Sequence, residues 1–258
     1  MMKHESEIIG YAIHASDGLI GTVSDCLFDD ATWLIRWFVV DTSSWLPGRK
    51  VLLPPSVLGH VNHIGHEFTV RLTKQQVKAS PDVDTDLPVS RQIETDIYDY
   101  YGWNPYWTTD FYTGGYSYSG DDAMEARRAV RAIKRSADDV ARVDRNDPYL
   151  RSVREITGYH ISARDGEIGH IGDILVEDAD WSIHYLVIDT KNWWPGKKVI
   201  ISPRSVKAID WLDKQVKLNI DRKHVKDSPP YDSSATIDRV YENQFHRYYG
   251  ASDVERRA

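Results

Sequence analysis

The sequence has almost no cysteine, no long hydrophobic run and no excess of positive charge. Its single cysteine, Cys26, excludes an intramolecular disulfide and any metal site built from several thiolates. No stretch approaches the ~20 consecutive apolar residues that cross a bilayer, so we expect no integral membrane segment and a cytoplasmic location. The net charge of −7 argues against nucleic-acid binding, because that binding depends on neutralising phosphates.

Sequence motifs of common enzymes are also missing. We find no glycine-rich nucleotide-binding loop, no nucleophile elbow and no zinc-protease helix motif. The composition is that of an ordinary globular chain, with 41% hydrophobic and 28% charged residues. We therefore expect a folded protein without catalytic activity and without a cofactor.

The chain contains two segments of similar sequence. The segment GYAIHASDGLIGTVSDCLFDDATWLIRWFVVDT, which begins at Gly10, aligns without a gap onto GYHISARDGEIGHIGDILVEDADWSIHYLVIDT, which begins at Gly158. The same shift along the chain, from Gly10 to Gly158, brings the tripeptide YYG at Tyr100 onto YYG at Tyr248. Such a repeat predicts two similar structural units. The predicted domains are a first unit at 1–102, an aromatic, glycine-rich and partly helical linker at 103–150, and a second unit at 151–258.

Strand patterns dominate each copy. Apolar residues alternate with a period of two, and Asp-Gly pairs that begin at Asp17 and Asp165 mark hairpin turns. So many short strands in a small unit favour a barrel or sandwich. Each copy ends in a predicted helix that a glycine closes, Gly102 or Gly250. The predicted fold is mainly β with short helices: two tandem small β-barrels related by an approximate twofold.

These motifs resemble those of a known family. Both copies contain Gly-Tyr, Asp-Gly, Ile-Gly and Asp, then Trp and Val-Val/Ile-Asp-Thr, then Trp-x-Pro-Gly-x-Lys-Val. The pattern is similar to the PRC-barrel domain, a small β-barrel of the photosynthetic reaction-centre H subunit and of the ribosome maturation factor RimM. The resemblance covers most of the chain and implies tandem PRC-type barrels whose surfaces contact other proteins.

A corner motif, DTSSWLPGRKV at 41–51 and DTKNWWPGKKV at 189–199, is a candidate binding surface. Its Pro-Gly pair predicts a turn after the second long strand. The aromatic and basic side chains could form a cation–π patch, or the tryptophan could cover the turn while the lysine extends over it. Including the tyrosines of the terminal helices, the interaction candidates are Trp45, Trp193, Trp194, Lys50, Lys198, Tyr100 and Tyr248.

Three pairs of acids recur in both copies: Asp17 and Asp165, Asp25 and Asp173, and Asp41 and Asp189. The first pair is explained by hairpin turns, and the third by Asx turns at strand ends. Asp25 and Asp173 lie inside apolar strands and lack a local explanation. We expect them to be buried acids with structural hydrogen bonds rather than general acid–base catalysts.

Three histidines in HVNHIGH could act as nitrogen ligands for zinc or copper: His60, His63 and His66. The second copy has IDWLDKQ at this place, and a histidine-rich hairpin tip is more often solvated. We therefore expect no metal site.

The sequence predicts a non-enzymatic protein-interaction or assembly module that binds one or more protein partners, and a homo-oligomer is compatible with it. One alternative, implied by the likeness to the H subunit, is a peripheral component of a photosynthetic or other membrane electron-transfer complex. Another alternative is a metal-dependent enzyme that uses the cleft between the barrels.

Overall fold

The structure is a computed structural model that describes residues 2–81, 83, 89, 91–103, 105, 106, 150–190, 198–232, 237 and 239–255. The elements of the first copy are β1 (Met2–His4), α1 (Glu5–Ile8), β2 (Ala12–Ala15), β3 (Gly18–Asp29), β4 (Leu34–Asp41), β5 (Lys50–Leu53), β6 (Leu58–Asn62), β7 (Glu67–Val70), α2 (Lys74–Ala79) and α3 (Arg91–Tyr101). Those of the second copy are β8 (Leu150–Ser152), α4 (Val153–Ile156), β9 (His160–Ala163), β10 (Gly166–Glu177), β11 (Ile183–Asp189), β12 (Lys198–Ile201), β13 (Val206–Asp210), β14 (Gln215–Leu218), α5 (Arg222–Lys226) and α6 (Arg239–Glu255).

The strands form two sheets with the same order. The first sheet runs β5-β4-β3-β2-β7-β6, and the second runs β12-β11-β10-β9-β14-β13. Neighbours are antiparallel except β2 with β7 and β9 with β14, which are parallel. The predicted fold is confirmed: the protein is mainly β, with short helices and two barrel-like units.

Each sheet takes its seventh strand from the other copy. Strand β1, at the start of the first copy, pairs with β10 of the second sheet, with Lys3 opposite Val176. Strand β8, at the start of the second copy, pairs with β3 of the first sheet, with Arg151 opposite Phe28. This reciprocal strand exchange makes the two copies parts of one hydrogen-bonded body.

A second contact between the copies is also reciprocal. The amide of Ile35 donates to the carbonyl of Trp181 at 2.9 Å, and the amide of Ile183 donates to the carbonyl of Trp33 at 2.8 Å. Both tryptophans have positive φ, 58° and 60°. Contacts in which each copy donates and accepts at equivalent residues are the mark of a twofold relation.

One apolar core extends across both copies. Trp181 of the second copy lies 4.7 Å from Phe38 and 5.9 Å from Phe68 of the first, measured between ring centroids. Cys26 is fully buried in this core, where its thiol packs as a small apolar group. Because the burial is shared, the two copies stabilise each other.

Two glycines allow the long strands to run close to their neighbours. A Cβ atom on Gly21 would overlap the carbonyl oxygen of Asp41, and one on Gly169 would overlap that of Asp189. Gly169 also has a φ of +145°, which side chains rarely tolerate. The Ile-Gly motif is therefore needed for close packing of β3 on β4 and of β10 on β11.

The terminal helices agree with the prediction in one copy and differ in the other. Helix α3 ends at Tyr101, and Gly102 follows with a φ of +67°, as expected of a glycine cap. The predicted end at Gly250 is wrong, because α6 continues to Glu255. A glycine costs a helix about 1 kcal/mol, which does not force termination.

Candidate functional site

The two acids predicted to be buried, Asp25 and Asp173, are half-buried, and they hold the exchanged segments in place. In the first sheet, Asp25 on β3 accepts hydrogen bonds from the Ser152 hydroxyl at 2.5 Å and from the backbone amide of Arg154 at 3.1 Å. The amide of Cys26 adds a third bond at 2.7 Å. Burial raises the pKa of Asp25, whereas these three donors oppose that rise. Asp25 thus binds the start of α4, which belongs to the other copy.

Asp173 on β10 has the equivalent position and the equivalent task. It accepts from the Ser6 hydroxyl at 2.6 Å and lies 2.8 Å from Nδ1 of His4, so it binds the start of α1. Against the effect of burial, these partners hold the pKa of Asp173 below its usual range. On the other side of the ring, Nε2 of His4 lies 2.8 Å from the Tyr231 hydroxyl.

The row Asp173, His4 and Tyr231 has the order of an acid–base–nucleophile triad, but its surroundings indicate a structural role. Tyr231 is buried, and burial raises the pKa of its hydroxyl far above neutral pH. A neutral phenol in a closed site is a poor nucleophile. The row links three distant parts of the chain: the N-terminal strand, β10 and the segment after α5.

A further acid, Glu5, lies between the two copies. It is only 6% exposed, and burial raises its pKa to about 8, with Asp25 and Asp173 adding to the rise. Its atom Oε1 has no hydrogen-bond partner among the described residues. The equivalent residue of the second copy is Val153, which is also buried.

The other repeated acids bind backbone amides. Asp17 accepts from the amide of Lys74 at 2.9 Å, and Asp165 accepts from that of Arg222 at 2.7 Å, so each hairpin turn holds the first residue of a helix, α2 or α5. Asp41 accepts from the amide of Ser43 at 2.8 Å, which is the predicted Asx turn.

The corner motif of the first copy is a braced turn. The Thr42 hydroxyl donates to the carbonyl of Arg49 at 2.7 Å, and the indole of half-buried Trp45 donates to the carbonyl of Ile20. The cation over the Trp45 ring is Lys74, at 5.6 Å, from α2. The Arg49 guanidinium donates to the carbonyls at the end of α2.

The basic candidates of the corner are sheet residues, and two of the aromatic candidates lie outside the described residues. Lys50 and Lys198 begin β5 and β12, opposite Asp41 and Asp189. Lys198 is exposed. The predicted role of the second corner rests on Trp193 and Trp194, which lie outside the described residues.

The two tyrosine candidates attach each terminal helix to its own unit. The Tyr100 hydroxyl donates to the carbonyl of Gln76 in α2 at 2.9 Å. The Tyr248 hydroxyl donates to the carbonyl of His224 in α5 at 2.7 Å. Equivalent residues thus make equivalent bonds, which indicates that both terminal helices dock on the barrels.

Two of the three histidines of the β6–β7 hairpin, His63 and His66, contact Tyr11, and His63 also contacts the other copy. His63 lies 2.9 Å from an Asp178 oxygen of the other copy, and the His66 ring stacks on Tyr11 with centroids 5.0 Å apart. His60 is exposed, and its amide bonds to Thr69. Within the described ranges, no three or more His, Cys, Asp or Glu side chains are grouped as metal ligands would be.

The tips of the two β6–β7-type hairpins carry the most exposed large apolar side chains of the described structure. Ile64, between β6 and β7, is 96% exposed, and Leu212, between β13 and β14, is 95% exposed. They occupy equivalent positions in the repeat. Sequence reasoning overlooked them, although an isoleucine and a leucine at the same place in two polar hairpin tips was a visible signal.

Sequence reasoning also missed His4, Glu5 and the exchange itself. The signal was present: MKHESEIIGY at 2–11 aligns with LRSVREITGY at 150–159, so the repeat begins before Gly10. The shared pattern of an apolar residue, a basic residue and then a short helix marks the two exchanged segments. The sequence did not indicate with which of the two sheets each exchanged segment pairs.

In the described part of the chain, no helix combines the length and the apolar character needed to cross a membrane.

Parts of this chain are similar to known proteins. A protein of Deinococcus radiodurans described as "Uncharacterized protein" is 37% identical over 86 residues. The match covers 33% of this chain and 31% of that relative, so the chain spans about a third of the relative's length. The family model for the PRC-barrel domain matches residues 2–77, so this part of the chain is similar to that domain.

Proposed function

We propose that the protein is a non-enzymatic assembly module that binds a protein partner through its two hairpin tips. The observation that supports this most directly is the full exposure of Ile64 and Leu212 at equivalent positions. A single exposed aliphatic residue is ordinary on a protein surface. Its recurrence at the same tip of both copies, where a polar residue would be better solvated, favours a contact function.

Each tip is held in a defined shape before any partner binds. In the first tip, the Asn62 side chain accepts from the amide of Gly65 at 2.9 Å. In the second, Asp210 accepts from the amide of Asp213 at 3.0 Å. Both hairpins then turn through a residue with positive φ, 54° and 49°: His66 and Lys214. Preorganised tips lose less conformational entropy on binding, which strengthens a small contact.

The strand exchange supports the same proposal, because it fixes the spacing between the tips. His63, beside Ile64, lies 2.9 Å from Asp178 of the other copy. Trp211, at the base of the second tip, lies under the guanidinium of Arg151 at 4.3 Å, and Arg151 is on β8, the strand that pairs with the first sheet. A partner with two apolar pockets at that spacing would bind both tips at once, and both contacts would contribute to its affinity.

The double variant Ile64→Ser with Leu212→Ser is expected to weaken partner binding at least about a hundredfold. Burial of one such side chain stabilises by about 1.5–3 kcal/mol, and each 1.4 kcal/mol is about tenfold in affinity. The partner is first identified by photo-crosslinking from residues 64 and 212 in native lysate, then purified for titration calorimetry.

Thr69 and Lys217 provide the matched control. They are exposed, equivalent to each other, and lie on β7 and β14 next to the tips. Crosslinkers at these two sites should not capture the same partner. Equal capture from both pairs of sites, or unchanged affinity of the double serine variant, would contradict the proposal.

A further inference from the structure

The buried carboxyl group of Glu5 is unlike the other repeated or buried acids. Asp25 and Asp173 each accept several hydrogen bonds, whereas Oε1 of Glu5 has no partner in the part of the chain that the structure describes. Glu5 begins α1, which packs on β10, and its side chain faces the junction between the copies. An ionised carboxylate in this place would be buried without compensation.

We propose that Glu5 binds a proton when β1 and α1 are docked on β10, and releases it when this segment detaches. The docking of this N-terminal segment on the second sheet then depends on pH. The reciprocal exchange, β8 and α4 on β3, carries buried Val153 at the equivalent position and does not respond in this way.

The groups around Glu5 favour its neutral form. Four groups lie within its electrostatic range: Asp173 on β10, Asp25 and the buried thiol of Cys26 on β3, and Arg154 on α4. The negative charges of the two aspartates disfavour the ionised form of Glu5. Of the four groups, Arg154 alone favours that ionised form. His4 and Tyr231 reach the site only through Asp173.

The direction of the pH effect follows from proton counting. In the docked state the pKa of Glu5 is about 8, and its ordinary value is 4.5. Between these values the docked state binds one proton more than the detached state. Detachment therefore becomes easier as pH rises, by about tenfold per pH unit, and levels off above about pH 8.

Hydrogen exchange of the full chain tests whether the docking of β1 and α1 on β10 depends on pH. Amide protection, corrected for intrinsic exchange rates, is compared at pH 5.5 and pH 7.5 for residues 2–9 with 174–177, and for residues 150–156 with 27–29. We expect protection of the first set to fall about a hundredfold, one proton over two pH units. Protection of the second set should change less than about threefold. Parallel loss in both sets would overturn the proposal.

The variant Glu5→Gln separates the effect of Glu5 from that of its titratable neighbours in the segment, His4 above all. It keeps the size of the side chain and the His4–Asp173 contact, and it removes the proton equilibrium. We expect the protection of residues 2–9 to become nearly independent of pH in this variant, and likewise in Glu5→Val, which copies Val153. A wild-type slope that persists in Glu5→Gln would also overturn the proposal.

Discussion

The variant Gly169→Ala is expected to lower the free energy of unfolding by about 3–5 kcal/mol. Two costs add at this position. The backbone has a φ of +145°, which is essentially restricted to glycine, and the new methyl group would overlap the carbonyl oxygen of Asp189. Because β10 carries both β11 and the exchanged β1, its displacement would disturb both sides of the second sheet. Urea unfolding followed by circular dichroism measures the change.

Gly172→Ala is the matched control on the same strand. A Cβ atom there would lie 3.7 Å from its nearest neighbours, which is an ordinary contact, and the equivalent residue of the first copy is Ser24. We expect a change within about 0.5 kcal/mol. If both alanine variants were equally stable, the close approach at Gly169 would not be a constraint on the fold.

The second large effect is expected at Trp37, in the middle of β4. Its side chain is fully buried, lies 5.0 Å from the Tyr98 ring, and donates its indole hydrogen to Glu94 at 2.8 Å. Trp37→Ala should cost about 3–5 kcal/mol through the lost packing. It should also detach α3 from the sheet, which proteolysis after Tyr101 or Arg91 would detect as faster cleavage.

Trp37→Phe isolates the hydrogen bond from the packing. It keeps an aromatic ring and removes the donor to buried Glu94, so we expect a loss of about 1–3 kcal/mol. The equivalent residue, Tyr185, has a hydroxyl with no partner among the described residues, and Tyr185→Phe should be nearly neutral. A loss at Tyr185 as large as that at Trp37 would mean that the Glu94 bond is not the cause.

The sequence was sufficient for the local part of the fold. Asp-Gly turns, alternating apolar residues and the repeat itself act over a few residues, so they place strands well. The apolar alternation that follows the Asp-Gly turn at Asp17 is β3, Gly18–Asp29. Thr73 is likewise a local signal, because it precedes α2 and forms a capping box with Gln76.

The sequence was not sufficient for interactions that join distant segments. Two of the three donors to Asp25 lie 127 and 129 residues away, and the His4 donor to Asp173 lies 169 residues away. The edges of β3 and β10 offer the same backbone groups to an incoming strand, so a three-residue strand such as β1 carries no local sign of its destination. For the same reason, Asp25 and Asp173 looked unexplained, although each has a complete set of donors.

The reciprocal strand exchange also affects how the chain folds during synthesis. During synthesis, Asp173 leaves the ribosome 169 residues after its partner His4. Until then the first unit has an unoccupied edge on β3, which β8 must fill, and contacts this remote in sequence form slowly. We therefore expect the nascent first unit to depend on chaperones or on slow translation until the second unit emerges.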